Sequence, residues 1–203
     1  MRRLLLLFVL LSFCVTNCSK KDNLEHYVIS KDFKQWVDFK EGSYWVYFSE
    51  NSGYIDSCHF IGTKLIYTEY RSEEYGYIYD IIEFPLESKV IHGIVISAEK
   101  DFSYAGIGTN INGGGYSLRT NSNIGQKIKN GLSIYEEVEV FDSLNIYNNT
   151  FFNIIHTRTK YPLIDGDLIK DYYFSKGVGL IKYHQNVHQS DSTWYLLRWN
   201  TIQ

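Results

Sequence analysis

Apolar and aromatic residues alternate with polar residues along most of the chain after residue 40. This period of two predicts β-strands, because successive side chains of a strand point to opposite faces. A clear case is 44–48, which a glycine-containing turn at 51–53 separates from a partner strand over 54–61. Further strands are predicted over 64–70, 75–84, 89–97, 101–107, 132–141, 151–159, 157–163, 168–175, 177–183 and 193–199.

The connections between these strands are mostly short, and short connections join antiparallel neighbours. Asp165 and Gly166, for example, predict a tight turn between two of the strands. We therefore expect an all-β, mainly antiparallel fold of about ten strands, arranged as a barrel, a half-barrel or a sandwich.

Three stretches depart from the alternation. Residues 27–40 are expected to form either a helix or an irregular lead-in, and Ser30 is a suitable N-cap for a short helix with Phe33, Trp36 and Val37 on one face. Residues 106–131 are rich in Gly, Asn and Ser and predict a long loop, interrupted by a short strand near 116–120. Residues 184–192 predict a polar loop before the last strand.

The chain begins with Arg2 and Arg3, followed by an apolar run over 4–13. A positive start before a short apolar stretch is typical of a secretion signal. The run is too short for a membrane span, which needs about 20 apolar residues. The sequence therefore predicts an exported protein.

Residues 15–18, Val-Thr-Asn-Cys, resemble the lipobox of bacterial lipoproteins. That motif has an aliphatic residue three positions before the cysteine, which is Val15 in this chain. The resemblance implies that Cys18 is the lipid attachment site, because the thioether needs a thiol. Cys14 is the rival, but it follows the bulky Phe13 at the end of the apolar run.

The resemblance divides the chain into a helical signal peptide over 1–17, a lipidated cysteine with its tether over 18–26, and a single β-rich domain over 27–203. In enteric bacteria, an Asp directly after the cysteine retains a lipoprotein at the inner membrane. Ser19 stands there instead, which implies an anchor in the outer membrane, with the domain on either of its faces. Several acyl chains on one cysteine bind a membrane nearly irreversibly.

Four segments of the domain are similar to a pattern in small bacterial lipoproteins of unknown function. They are 42–47 (Gly-Ser-Tyr-Trp-Val-Tyr), 145–155, 173–182 (which contains Gly-Val-Gly-Leu-Ile-Lys) and 194–198. The resemblance implies an antiparallel β domain and carries no catalytic residues. At the level of architecture it suggests periplasmic half-barrels that bind lipoproteins, such as the LolA type.

Composition and charge agree with an extracytoplasmic β protein. The chain has 18 Tyr, 12 Phe and 4 Trp and only two alanines, which favours strands over helices. The formal net charge is −3 and becomes more negative without Arg2 and Arg3. Nucleic-acid binding is therefore not expected.

Cys58 is the remaining cysteine once Cys14 is removed and Cys18 carries lipid, so no intrachain disulfide is expected. It is interpreted as a small buried side chain. A nucleophilic role would require a histidine beside it.

Other candidate sites are interpreted as structural. His184 and His188 have metal-ligand spacing but no third ligand, and Asp165 with Asp167 starts a calcium-like loop without the later ligands. Gly106 with Gly108, and the glycines over 113–115, lack the rest of a phosphate loop. Neither a metal nor another cofactor is predicted.

Two further groups of side chains have a functional alternative. Glu137 and Glu139 are expected on one face of a strand, where paired carboxylates can act as acid and base. Tyrosines crowd one window of the chain, at Tyr67, Tyr70, Tyr75, Tyr77 and Tyr79. They form either part of the core or an outward surface suited to sugars or protein partners.

The sequence favours a non-catalytic, membrane-anchored binding protein whose ligand is a protein, a glycan or a lipid. Neither catalytic nor ligand-binding residues are assigned. An acyl carrier with a hollow half-barrel and an envelope hydrolase are the alternatives.

Overall fold

The computed structural model describes residues 24–71, 76–88, 91–109, 116–163, 166–187 and 190–203. The predicted signal peptide and Cys18 lie outside these ranges. The described part contains one helix and fourteen strands. Their bounds are β1 Glu25–Tyr27, α1 Lys31–Val37, β2 Tyr44–Ser49, β3 Ile55–Phe60, β4 Lys64–Arg71, β5 Gly76–Glu87, β6 Ile91–Ala98, β7 Ser103–Thr109, β8 Leu118–Arg119, β9 Lys127–Asn130, β10 Ser133–Ile146, β11 Asn149–Leu163, β12 Gly166–Ser175, β13 Gly179–Val187 and β14 Ser190–Asn200.

The strands form one open sheet whose spatial order follows the chain in two runs. Strands β2 to β8 form one run, with β4 extending the line of β3 beside β5. Strands β9 to β14 form the other run, and β14 pairs with β2 to join them. All of these pairings are antiparallel, which confirms the predicted fold class. The sheet is open, with β8 and β9 as its two edges, and its shape resembles a sandwich or a half-barrel, the name used below.

Side chains and one loop connect the segments on either side of β8 with β10 and β11, the strands next to the other edge, and we call this contact the seam. The Oγ1 atoms of Thr157 and Thr159, both on β11, donate hydrogen bonds to the carbonyl oxygens of Ser117 and Tyr116. An isolated bridge also joins Ile124 to β10. The seam is thus closed mainly by side-chain bonds to backbone rather than by a strand ladder.

Strand β1 is the parallel exception. It pairs with the first half of β5, with Glu25 opposite Tyr77 and Tyr27 opposite Tyr79. It includes Glu25 and His26, two residues that the sequence analysis assigned to the tether. The polypeptide therefore enters the sheet beside the start of β5.

Helix α1 has the predicted position and cap. Ser30 accepts a hydrogen bond from the amide of Phe33 at 3.2 Å, which satisfies one of the free N–H groups at the start of the helix. Phe33 and Val37, four positions apart, are both buried. In the described ranges, no helical segment has the length and apolar character that a membrane crossing requires.

The sequence analysis was wrong about two loops. Residues 127–130 form β9, and β7 continues to Thr109, so strands occupy part of the predicted loop over 106–131. Residues 184–187 belong to β13, and β14 begins at Ser190. Hydrogen bonding to neighbouring strands keeps these polar residues extended, although their side chains lack apolar alternation.

Candidate functional site

The interior of the half-barrel is packed rather than hollow. Trp45, Phe174 and Leu180 are among the side chains around an apolar cavity of about 20 Å³. That space admits about one water molecule, whereas ligand pockets typically measure about 300–1,000 Å³. This cavity is therefore too small to hold an acyl chain.

Cys58 lines this cavity from β3 and is only 2% exposed. Burial, reinforced by the nearby charge of Asp56, raises the pKa of its thiol to about 12. The reactive form of cysteine is the thiolate. Cys58 is therefore a poor nucleophile, in agreement with its interpretation as a core residue.

The histidine and aspartate candidates have structural partners. His184 lies on β13, where its Nδ1 is 3.0 Å from Oγ1 of Thr193, and Asp167 forms an ion pair with Lys160 at 2.6 Å. Among the described residues, no group of three potential ligands could hold a metal ion. His188, Asp165 and the glycines over 113–115 lie outside those residues, and Gly106 and Gly108 are part of β7.

Glu137 and Glu139 do not share a face, contrary to the expectation from alternation. A bulge in β10 places an extra residue between them, so that Glu137 lies opposite Thr157 and Glu139 opposite His156. Glu137 turns to the seam, where it accepts a hydrogen bond from Ser122 at 2.6 Å. The two carboxylates therefore do not form an acid–base pair.

A cluster of charged side chains lies on the outer face of β11 and β12. Residues opposite each other in a ladder share a face, and the pair Thr157 and Tyr172 is buried inside. The adjacent pair of Arg158 and Asp171 therefore faces outward. Asp171 Oδ1 is 2.9 Å from Nε of Arg158 and 2.8 Å from Nε2 of His156.

Asp171 holds both of its partners in place. Burial alone would raise the pKa of Asp171, but the hydrogen bonds from His156 and Arg158 outweigh it and hold the pKa below its usual value. The carboxylate of Asp171 therefore stays charged at neutral pH. In this charged form it orients the guanidinium of Arg158 and the ring of His156.

Aromatic rings extend this cluster across β12, β13 and β14. The ring of Tyr173 stacks on His156, with centroids 4.1 Å apart and planes at 7°. Lys182 lies 4.8 Å from the centroid of Tyr173 and 5.4 Å from that of Tyr195. We call His156, Arg158, Asp171, Tyr173, Lys182 and Tyr195 the outer belt.

Arg158 is the residue of the outer belt best placed to meet a ligand. Its side chain is 42% exposed, and only its Nε atom is bound to Asp171. Among the described residues, none accepts a hydrogen bond from its two terminal amino groups. A guanidinium with these two groups exposed can bind a carboxylate or phosphate.

The sequence analysis missed the outer belt, although a local signal for it exists. Arg158 and Asp171 flank the predicted turn between β11 and β12, so a hairpin there brings them onto neighbouring strands, and the observed register places them opposite each other. Which of the two sheet faces they occupy depends on the whole core.

A second unusual group is Lys170, which points inward from β12 between Thr159 and Gln185. It is fully buried, and its Nζ lies 5.4 Å from the ring centroid of Tyr161. Burial lowers its pKa to about 8. The sequence pattern around Lys170 contains no signal that separates it from the surface lysines.

The tyrosine window forms a surface rather than part of the core. Tyr67 is 62% exposed, and Tyr77 and Tyr79 are half-buried, with ring centroids 5.8 Å apart. Tyr75 and the side chain of Tyr70 lie outside the description. Together with β1 and the β6–β7 turn, this region forms an open cleft of about 410 Å³. We call it the tyrosine cleft and define it by Glu25, Tyr27, Tyr77, Glu99 and Lys100.

No family model matches the chain, and no curated protein matches it in sequence. A solved structure from Parabacteroides distasonis, named a "putative lipoprotein", aligns with a TM-score of 0.34 and 13% sequence identity. The alignment covers 79% of this chain and 96% of that chain. Neither the fold nor the function of this chain is inferred from that likeness.

Proposed function

We propose that this protein is an exported lipoprotein, anchored through Cys18 to a bacterial outer membrane, whose β domain binds a ligand without transforming it. The signal pattern over 1–17 and the lipobox over 15–18 support the anchor. The burial of Cys58 supports binding over hydrolysis, since it removes the one thiol of the domain from chemistry.

The outer belt is the proposed binding surface, and Arg158 is the observation that carries the proposal. Asp171 fixes its guanidinium through Nε and leaves both terminal amino groups exposed. Lys182 adds a second cation between two tyrosine rings, while Glu139 makes the β10 side of the surface acidic. This arrangement fits an acidic envelope glycan, whose carboxylates meet Arg158 and Lys182.

The anchor is tested by Cys18→Ala. Loss of the thiol prevents thioether formation, so we expect the protein to move from the membrane fraction to the soluble fraction in immunoblots of fractionated cells. Cys58→Ala is the matched control and should leave the protein in the membrane fraction. Membrane retention of the Cys18→Ala protein would contradict the lipid anchor.

Binding is tested by calorimetric titration with polygalacturonate, an acidic glycan, and with dextran, a neutral one. We expect the acidic polymer alone to bind, and Arg158→Gln to weaken binding at least about tenfold, as loss of a charge-assisted pair costs about 1.5–3 kcal/mol. Lys160→Gln is the control, because Lys160 is two residues along the same strand and already pairs with Asp167. Equal binding of the two polymers, or no binding, would overturn the glycan assignment.

A further inference from the structure

The place where the polypeptide enters the sheet is fixed by β1. Its residues pair in register with the first half of β5, so Glu25 lies beside Tyr77 at the end of the sheet where β5 begins. The β6–β7 turn, which contains Glu99 and Lys100, is at the same end, because β6 runs antiparallel to β5. The tyrosine cleft is therefore located where the tether leaves the domain.

The tether is short. Cys18 precedes Glu25 by seven positions, and an extended chain spans at most about 3.6 Å per residue, which limits the separation to about 25 Å. By comparison, the twelve residues of β5 span about 40 Å. If Cys18 carries the lipid anchor, the end of the sheet with the tyrosine cleft cannot move far from the bilayer.

The chemistry of the cleft matches a lipid headgroup layer. Tyr27 and Tyr77 lie 5.1 Å apart between ring centroids and are both half-buried. Tyrosine is enriched at membrane–water interfaces, where one end of the ring is apolar and the hydroxyl is hydrated.

The charges of the cleft have both signs, with Glu25 and Glu99 as carboxylates and Lys100 as an ammonium. A zwitterionic headgroup offers the complementary pair, since its phosphate suits Lys100 and its amine suits the carboxylates and the tyrosine rings. An anionic lipid surface would be repelled by the two glutamates.

We propose that the tyrosine cleft docks on the zwitterionic headgroups of the membrane that holds the anchor, so that this end of the half-barrel faces the bilayer. This inference rests on the proposed lipid anchor at Cys18. It orients the domain, with the turn between β9 and β10 pointing away from the membrane.

The test uses the full-length lipidated protein, reconstituted in vesicles of phosphatidylethanolamine and phosphatidylcholine with an acceptor dye on the headgroups. A donor dye is attached at Asp101→Cys, beside the cleft, or at Leu132→Cys, in the β9–β10 turn. Both positions are exposed, and Cys58 is buried and does not compete for the label. We expect energy transfer from position 101 to be at least about twofold more efficient, because position 101 borders the cleft, whereas position 132 lies in the β9–β10 turn away from it.

The docking residues are tested by the double variant Tyr27→Ser and Tyr77→Ser, which should reduce the difference between the two dyes to the part that the tether alone maintains, and an unchanged difference would overturn the docking. Tyr54→Ser is the control. Tyr54 is 41% exposed and lies just before β3, at the end of the sheet opposite the tyrosine cleft. Equal energy transfer from positions 101 and 132, in the protein with Tyr27 and Tyr77 unchanged, would overturn the docking while leaving the anchor intact. Failure of the protein to sediment with the vesicles would overturn the anchor and the docking together.

Discussion

At the scale of single residues, Lys170 is a basic group that the fold places in an environment very different from water. Its ammonium is fully buried on the inner face of β12, and burial lowers its pKa from the ordinary 10.5 to about 8. Below pH 8 the lysine is charged in both the folded and the unfolded state. The buried charge then lowers the free energy of unfolding by its full amount. Between about pH 8 and pH 10.5 the folded state loses its proton first, and the free energy of unfolding increases with pH.

We therefore predict that urea denaturation will give a free energy of unfolding about 1 kcal/mol larger at pH 9 than at pH 7, through this residue. Lys170→Met should remove that increase, because methionine has no proton to lose. Lys127→Met, at an exposed lysine of β9, should leave the increase unchanged. An unaltered pH dependence in Lys170→Met would show that the lysine does not titrate as its burial implies.

The sequence could predict some residue environments and not others. Cys58 was expected in the core because cysteine behaves as a small apolar side chain, and it is buried there. Arg158 and Asp171 were not recognised, because their pairing needs the hairpin register and their outward direction needs the core. Glu137 and Glu139 were placed on one face because the alternation pattern contains no signal for a bulge.

At the scale of secondary-structure elements, local signals were sufficient for α1 but not for β9. The helix follows from Ser30 and from the spacing of Phe33 and Val37, all within one short segment. In β9, Ile128 stands between two lysines, and the segment becomes a strand only because it pairs with β10. Polar residues 184–187 are extended for the same reason, through their ladder with β14.

The prediction at the scale of secondary-structure elements concerns the seam. Thr157→Val with Thr159→Val keeps the side-chain shape but removes both hydroxyl donors, so the buried carbonyls of Ser117 and Tyr116 lose their partners. We expect a loss of about 2–6 kcal/mol in the free energy of unfolding, at about 1–3 kcal/mol for each of the two unsatisfied groups.

The seam prediction is measured by chemical denaturation, together with hydrogen exchange of the amides in β8 and β9, which should become faster. Thr150→Val is the matched control, because its hydroxyl bonds to Asn145 on the exposed β10–β11 hairpin. A loss in the double variant no greater than that in the control would mean that these bonds do not hold the seam.

At the scale of the whole molecule, the class of the fold could be predicted, whereas its closure could not. Alternation and short connections indicated an antiparallel sheet of consecutive strands, and these are present. The pairing of β14 with β2 joins strands from opposite ends of the chain, for which no short-range pattern exists. The same applies to the contact between β1 and β5, which the tether was not expected to make.

The β2–β14 pairing also has a consequence for the order of folding if the protein is exported as proposed. Ser43 and Ile202, which exchange hydrogen bonds at the end of this ladder, are 159 positions apart. A chain that crosses a membrane from its N-terminus delivers β2 early and β14 last. Until then one side of β2 lacks its native partner, and the core under it is incomplete. Closure must therefore follow release of almost the entire chain, which favours slow folding and a period when the unpaired strand is vulnerable to aggregation.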